Sequence, residues 1–318
     1  MALYLVTGGA GFIGSHLAEE LLRRGEQVRV LDNFSTGKRG NLTGLGYPFE
    51  LIEGDLRSYH TVLQAVQGVD CVFHQGALPS VPRSINDPIT TDQVNAGGTL
   101  NLLDAARGAG VRRLVYASSY SVYGANPQVP KREDMTPQPI SPYAVSKLSG
   151  EHYCQVFART YGLETVCLRY FNVFGPRQDP QSAYSAFIPK FAAGLLRGQE
   201  FTIDGDGTQS RDFTFVRNVV EANLLAALAP GVSGEVFNVA CGASLSVNEV
   251  AAHLAQLCGL PGRLVHGPAR AGDVPHSLAD ISRARTRLGY EPQVGVREGL
   301  SQVVAWFQGK LASEGRPS

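Results

Sequence analysis

Apolar and polar residues alternate in blocks along the first half of the chain. Short apolar runs predict five strands, which lie at residues 3–6, 27–31, 49–52, 70–74 and 111–117. Between them, apolar residues recur at helical spacing, as at Leu17, Leu21 and Leu22 after the first run. Further helices are expected around 61–66 and about 91–109. Strands that alternate with helices predict a parallel sheet with right-handed crossovers.

The second half of the chain contains two kinds of segment. A helix at 216–228 and a strand at 234–240 are expected to return to the sheet, whereas helices near 247–257, 282–288 and 296–307 form a smaller lobe. The predicted fold is α/β, a Rossmann-type doubly wound parallel sheet with a smaller C-terminal α/β lobe, and its active site lies in the cleft between them. The expected boundaries are 1–170 with returning segments at about 212–240 for the sheet domain, and 171–211 with 241–318 for the lobe.

A glycine turn joins the first predicted strand to the first helix. Gly8, Gly11 and Gly14 let the backbone approach a pyrophosphate closely, and the helix start supplies amide hydrogens. Asp32 ends the second strand, where an acid suits a ribose 2′-hydroxyl and repels a 2′-phosphate. This favours NAD over NADP, although Lys38 nearby could still serve a phosphate.

Tyr143 and Lys147 are four residues apart at the start of an apparent helix and therefore share one face. A neighbouring ammonium favours the phenolate, so we expect Lys147 to lower the pKa of Tyr143 and to make it a general acid and base. The alternative is a packed aromatic side chain beside a solvated lysine. The pair by itself does not distinguish these two interpretations.

Composition narrows the class of partner. Lys plus Arg and Asp plus Glu both number 28, so there is no net charge to attract nucleic acid or an anionic membrane, and a small molecule is expected. The five cysteines lack zinc-site spacing, which predicts reduced thiols and no metal. The start of the chain resembles no signal peptide, and no run is long enough to span a bilayer. We expect a cytoplasmic protein.

Three motifs together resemble the extended short-chain dehydrogenases/reductases. They are Gly-x-x-Gly-x-x-Gly at 8–14, a serine before Val-Tyr-Gly at 119–124, and Tyr-x-x-x-Lys at 143–147, and the resemblance covers essentially the whole chain. It implies that Tyr143 is the acid/base, that Lys147 holds the nicotinamide ribose, and that Ser119 hydrogen-bonds the reacting hydroxyl. The implied NAD contacts are Gly8, Gly11, Phe12, Ile13, Gly14, Asp32, Asn33, Asp55, Leu56, Gln75, Ala77, Asn95, Tyr143, Lys147 and Tyr170.

Residues 168–180 and 270–277 resemble segments of nucleotide-sugar 4-epimerases. The resemblance implies that Asn172 faces the sugar diphosphate, that Thr202 and Ile203 line a uracil pocket, and that Arg211 and Arg270 contact phosphate. Asp273 would bind the uridine ribose. The complete set of implied UDP-sugar contacts is Pro79, Ser80, Ser119, Tyr120, Asn172, Thr202, Ile203, Arg211, Arg270, Asp273 and Ser277.

Other members of the family differ at particular positions. Sugar dehydratases and uronate decarboxylases usually carry an acid before Val-Tyr-Gly, where this chain has Tyr120 and Ser121. Uronate 4-epimerases tend to carry arginine at the position of Asp179, whose charge would repel a uronic acid. A small Ser277 is similar to enzymes that admit an N-acetyl group, whereas Pro79 and Tyr120 are bulkier than expected.

The resulting prediction is an NAD-dependent UDP-hexose 4-epimerase that acts through a transient 4-keto sugar. Its substrates would be UDP-glucose and UDP-galactose, and their N-acetyl counterparts. The alternatives are another nucleotide-sugar enzyme, such as a dehydratase, uronate epimerase or reductase, and a non-enzymatic NAD-binding regulator. Helices at about 91–109 and 143–161 resemble the pair through which family members dimerise, so a homodimer is expected.

Overall fold

Seven parallel strands form the central sheet of the computed structural model, which describes residues 1–180, 187–259, 264–268 and 276–314. The strands are β1 (Leu3–Thr7), β2 (Gln27–Asp32), β3 (Glu50–Glu53), β4 (Cys71–His74), β5 (Arg113–Ser119), β6 (Glu164–Tyr170) and β7 (Glu235–Val239). Their order is β7-β6-β5-β4-β1-β2-β3. The chain reverses direction across the sheet between β1 and β4, which opens a crevice at their carboxyl ends. The predicted Rossmann-type fold is confirmed.

Helices cover both faces of the sheet because its inner strands, such as β4 and β5, are buried on both sides, whereas the edge strand β3 is largely exposed. Phe12–Arg23 and Val216–Leu228 pack together on one face, and Tyr59–Ala65, Gly98–Gly108 and Pro142–Tyr161 lie on the other. Shorter helical segments lie between the strands at Gly40–Thr43, Val81–Asn86 and Pro88–Asp92, with a 3₁₀ turn at Tyr120–Tyr123. The helix Ser282–Leu288 was expected in the smaller lobe, but it packs against β7 and the helix Val216–Leu228. The two faces are thereby buried, as a parallel sheet requires.

The helix predicted at about 91–109 is present, but it starts earlier and contains a π-helical turn. Helical structure runs without interruption through Pro88–Asp92, the π turn Gln93–Gly97 and Gly98–Gly108. The π turn contains one extra residue, and it holds the side chain of Asn95 against the backbone of Leu78. This contact is between distant segments, so apolar periodicity alone could not reveal the π turn.

A second hydrophobic core lies outside the sheet. The helices Phe187–Leu196, Val247–Cys258 and Val296–Glu314 pack around it, with Phe191 and Leu254 fully buried. Short strands pair beside it, namely Phe201–Asp204 with Leu264–Gly267, Ser210–Arg211 with Leu245–Ser246, and Val173–Phe174 with Thr214–Phe215. This is the smaller C-terminal lobe, and the assignment of cofactor and substrate to separate domains stays a prediction.

Two further observations concern membrane-spanning helices and the state of the cysteines. Within the described ranges, every helix is too short or too polar to cross a bilayer. All five cysteines are free thiols.

Candidate functional site

A cavity of about 790 Å³ lies at the carboxyl ends of the sheet strands. Fourteen of the fifteen residues predicted to contact NAD line it. They are Gly8, Gly11, Phe12, Ile13, Gly14, Asp32, Asn33, Asp55, Leu56, Gln75, Ala77, Tyr143, Lys147 and Tyr170. The cavity has the size of a typical small-molecule site.

The glycine turn leaves no room for side chains. A Cβ on Gly8, whose φ is 66°, would lie 2.7 Å from Gly76 Cα, and one on Gly14 would lie 2.2 Å from the Gly8 carbonyl oxygen. No side chain caps the following helix at Gly11. Bare backbone and a positive helix end thus face the cavity, which fits the pyrophosphate of a dinucleotide.

Two carboxylates lie beyond the glycine turn. Asp32 accepts hydrogen bonds from the backbone N–H groups of Ala10 (2.9 Å) and Phe34 (2.8 Å), which oppose the increase in its pKa that burial causes. Asp55 is paired with Arg57 and accepts a bond from Asn33 at 2.9 Å, and chiefly the Arg57 pairing lowers the pKa of Asp55 to about 2. Negative charge at this end of the cavity suits ribose hydroxyls better than an added phosphate.

Tyr143, Lys147 and Ser119 come together at the opposite end. Ser141 caps the helix Pro142–Tyr161 by accepting a bond from Ala144 N, which places Tyr143 in the first turn. Ser119 ends β5 and lies beside the Tyr143 phenol. The arrangement brings a phenol, a hydroxyl and an ammonium to one end of the cavity.

The electrostatics of this trio differ from the expectation. Burial raises the pKa of Tyr143 to about 12, although the neighbouring Ser119 hydroxyl opposes this. Burial likewise lowers the pKa of Lys147 to about 8. The expected lowering of the Tyr143 pKa by Lys147 is absent from this structure, in which the Lys147 Nζ donates to the Ala117 carbonyl at 2.8 Å.

Asn95 lies behind the cavity wall. Its side chain is 1% exposed, accepts a bond from Leu78 N (2.8 Å), and donates to Leu78 O and Ser146 Oγ, both at 3.1 Å. The structure therefore corrects the prediction that Asn95 lines the cofactor site. Its contacts with Leu78 hold a segment that does line it.

Three of the implied substrate contacts form a cluster around Asp212. The side-chain amide of Asn172 donates to Ser277 Oγ at 3.1 Å and to the Asp212 carbonyl at 3.3 Å, and Arg211 precedes Asp212 in the chain. The Asp212 carboxylate accepts backbone N–H bonds from Cys241, Gly242 and Ala279. We did not identify Asp212 from the sequence, where it appeared only inside the segment Ser210-Arg-Asp-Phe213.

The remaining implied contacts are dispersed. Pro79 and Ser80 line the cavity, and Ser80 has a φ of 96°, an uncommon conformation for a residue with a side chain. Tyr120 stacks on Phe171 with ring centroids 5.2 Å apart. Thr202 is exposed on its strand, whereas the side chain of Ile203 is 1% exposed in the second core, so the prediction that this side chain lines a pocket is wrong. The remaining two implied contacts, Arg270 and Asp273, lie outside the described residues.

Sequence reasoning also missed part of the cavity wall. Residues 34–37 line it after β2, together with Arg83 and Gln178. Lys38, predicted as a possible phosphate contact, and Asp179, predicted to repel a uronic acid, also line it. Lys38 Nζ and Asp179 Oδ2 are 2.7 Å apart, which joins the loop after β2 to the segment after β6. A polar, glycine-containing segment at the carboxyl end of a strand was the available signal. In the described part of the chain no cluster of three or more metal-ligating side chains occurs.

Comparison with known proteins identifies the family. Residues 4–240 match the NAD dependent epimerase/dehydratase family. The UDP-glucose 4-epimerase of Mycolicibacterium smegmatis is 40% identical over 310 residues, spanning 96% of this chain and 98% of that protein. The chain belongs to this family. Family members use NAD, so the cofactor prediction is confirmed, as is the resemblance to extended short-chain dehydrogenases/reductases.

Solved structures of family members are closely similar. The UDP-N-acetylglucosamine 4-epimerase of Methanobrevibacter ruminantium, in complex with UDP-N-acetylmuramic acid, has a TM-score of 0.92 at 38% identity and covers 97% of this chain and 99% of its own. The UDP-glucose 4-epimerase of Thermus thermophilus, in complex with NAD, has a TM-score of 0.87 at 40% identity over 96% and 99%. A UDP-glucuronate 4-epimerase of Thermodesulfobacterium geofontis is 33% identical over 96% of each chain. The family thus includes enzymes named for neutral sugars and enzymes named for acidic sugars.

Proposed function

We propose that the protein inverts carbon 4 of UDP-hexoses, interconverting UDP-glucose with UDP-galactose and UDP-N-acetylglucosamine with UDP-N-acetylgalactosamine. The observation that carries the proposal is the close approach of Ser119 and the Tyr143 phenol, with Lys147 one helical turn away, at the end of the cavity. An NAD-binding regulator would need the glycine turn but not this trio. The sheet domain would then bind the cofactor, and the smaller lobe would bind the UDP-sugar.

The glycine turn would hold the pyrophosphate of NAD, Asp32 the adenosine ribose, and Lys147 the nicotinamide ribose. When bound, NAD supplies a positively charged nicotinamide ring that accepts the hydride from carbon 4 of the sugar and returns it. Positive charge is also what a buried phenol requires to lose its proton. Lys147 contributes such charge when its Nζ turns from the Ala117 carbonyl toward the ribose.

Proton transfer is assigned to Tyr143. As a phenolate it takes the proton of the sugar 4-hydroxyl. As a phenol it returns the proton after the ring of the 4-keto sugar has rotated. Ser119 hydrogen-bonds the same sugar oxygen and stabilises the charge that develops on it. Tyr143 is half-buried at the end of the cavity, so a bound sugar would shield this proton from bulk water.

The uridine diphosphate would hold the 4-keto sugar while its ring rotates. Asn172 and Arg211 are proposed diphosphate contacts, with Arg270 and Asp273 as further contacts from outside the described residues. Guanidinium groups suit phosphate oxygens because they donate two parallel hydrogen bonds. Binding energy from this remote group assists the step at carbon 4.

Substrate range depends on Ser277, Pro79 and Tyr120. Ser277 has a small side chain, which supports a pocket that admits an N-acetyl group, and a structural relative binds UDP-N-acetylmuramic acid. UDP-glucuronate is the second candidate substrate. The ion pair of Lys38 with Asp179 supports it, because Lys38 offsets part of the repulsion that Asp179 would exert on a carboxylate.

The Tyr143→Phe variant tests the proposal. Purified protein is incubated separately with UDP-galactose, UDP-N-acetylgalactosamine and UDP-glucuronate, and inversion at carbon 4 is followed by NMR. We expect the wild type to convert the first two and the variant to lose at least about 100-fold in rate while it still binds NAD. Retention of the wild-type rate in the variant would refute the role of Tyr143.

We also propose a homodimer in the reducing cytoplasm. Large apolar side chains are exposed on neighbouring helices around the Tyr143 helix, namely Ile85, Ile89, Val145 and Val156. A contiguous exposed apolar surface of this kind is typical of a subunit interface. The five free thiols support the proposed reducing compartment.

A further inference from the structure

Polar contacts tie the helix Pro142–Tyr161 to the end of β5 over three successive helical turns. Each contact joins one helix residue to one of three consecutive strand residues. Tyr143 lies beside Ser119, Lys147 Nζ donates to the Ala117 carbonyl, and Ser118 Oγ donates to Glu151. Residues four apart lie on one side of a helix, so the row at 143, 147 and 151 faces the strand end as a unit. The third contact has no part in the proposed chemistry.

The Glu151 carboxylate is held by two strands at once. Ser118 Oγ donates to Oε1 at 2.5 Å, and Arg169 donates through Nε to Oε1 at 2.9 Å and through Nη2 to Oε2 at 2.8 Å. Both charged side chains are almost fully buried, with Glu151 2% and Arg169 4% exposed. Ser118 of β5 and Arg169 of β6 are register partners. The arginine guanidinium also lies over the Tyr123 ring, 4.7 Å from its centroid.

The next register pair carries residues of the proposed site. Ser119 is paired with Tyr170, and successive strand residues point to opposite faces of a sheet. Glu151 therefore hydrogen-bonds β5 and β6 one residue before Ser119 and Tyr170. Along the helix, Glu151 lies one turn after Lys147. We infer that Glu151 is a positioning residue that sets the axial position of the Tyr143 helix against Ser119. This inference rests on the proposed role of Tyr143.

The variants must separate the effect of Glu151 on the position of the Tyr143 helix from its effect on the stability of the fold. Removing one partner of a buried ion pair leaves an unpaired charge and destabilises the fold, whereas replacing both partners by apolar residues of similar volume is often neutral or stabilising. The double variant Glu151→Leu/Arg169→Met is therefore the principal test. Ser118→Ala removes only the hydrogen bond between Glu151 and β5 and keeps the ion pair with Arg169. It therefore still tests the inference if the double variant folds poorly. Phe157→Leu, a buried change on the same helix away from the cavity, is the control for stability.

We expect the double variant to lose kcat by about 10- to 100-fold, because a displacement near 1 Å is enough for such a loss. KM for UDP-galactose and the dissociation constant for NAD should change less than about 3-fold, since the glycine turn and Asp32 are untouched. Ser118→Ala should also lower kcat, but by a smaller factor. Phe157→Leu should lower the melting temperature and retain kcat. An unchanged kcat in both the double variant and Ser118→Ala overturns the inference, as does an equal loss of NAD affinity.

A crystal structure of the double variant provides a readout that does not depend on the substrate. We expect the Tyr143 phenol to move away from the Ser119 hydroxyl relative to the wild-type structure, and unchanged positions overturn the inference. If the wild type inverts none of the UDP-sugars, the proposed function fails while this crystal structure still decides the role of Glu151. If the wild type is active, Tyr143→Phe is inactive and the double variant is fully active, the inference alone fails.

Discussion

Replacing Lys147 by methionine should stabilise the fold and abolish activity. Lys147 is 4% exposed, and its ammonium donates a hydrogen bond to the Ala117 carbonyl. Burial lowers the pKa of Lys147 from 10.5 to about 8, which means that the folded protein binds its proton less well than the unfolded chain does. Methionine has a similar length and no charge, so it removes this cost while it fills the same space.

The magnitude follows from the two pKa values. Their difference, at about 1.4 kcal/mol per pKa unit, corresponds to roughly 3 kcal/mol of stability. Loss of the Ala117 hydrogen bond offsets about 1 kcal/mol, which leaves a net gain near 2 kcal/mol. The unfolding entropy expected for a chain of 318 residues converts this gain to an increase of about 3 °C in melting temperature.

The gain has a defined pH dependence. Between about pH 8 and 10.5 the unfolded chain binds more protons at this lysine than the folded protein, so wild-type stability rises with pH through that window. The advantage of Lys147→Met should be complete below pH 8 and should disappear above about 10.5.

The assay is thermal unfolding between pH 6.5 and 10.5, on protein freed of bound nucleotide because a cofactor that binds only the folded state adds its own stabilisation. Lys190→Met makes the same change at a lysine outside the cavity and is the control, with a smaller expected shift. A Lys147→Met variant that melts at or below the wild-type temperature at pH 7 would refute the reasoning about burial.

Three further variants test other parts of the site. Gly14→Ala should weaken NAD binding at least about 10-fold in a fluorescence titration, because its Cβ would lie 2.2 Å from the Gly8 carbonyl oxygen, and unchanged affinity would contradict the tight turn. Ser277→Tyr should reduce conversion of UDP-N-acetylgalactosamine at least about 10-fold more than that of UDP-galactose, and equal losses would argue against its role in substrate size. Ile89→Asp should shift the protein toward monomer in light scattering, because Ile89 is 69% exposed on the proposed interface, and an unchanged dimer would exclude this surface.

The sheet and the cofactor end of the cavity could be predicted because their determinants are local. The glycine turn and Asp32 take their positions from the strands that precede them, so spacing along the chain is sufficient. The Tyr143 helix likewise begins at a serine cap and a proline, which are recognisable in sequence.

The parts that escaped prediction depend on contacts between distant segments. Asp212 organises Asn172 and Ser277 through backbone groups around residues 241 and 279, which no local pattern reveals. Asn95 turns away from the cavity because a π-helical turn directs it to Leu78. The pKa of Tyr143 departs from the expectation because it depends on burial, whereas sequence spacing indicates only the nearby charge.

The most direct test of the central claim is the fate of the hydrogen on carbon 4 of the sugar. UDP-galactose deuterated at that carbon is incubated with the wild type in ordinary water, and the product is examined by NMR and mass spectrometry. The account predicts UDP-glucose that retains its deuterium at carbon 4, because the hydride leaves and returns within one closed site while Tyr143 handles only the hydroxyl proton. Loss of the deuterium to water, or accumulation of a 4-keto sugar without UDP-glucose, would contradict it.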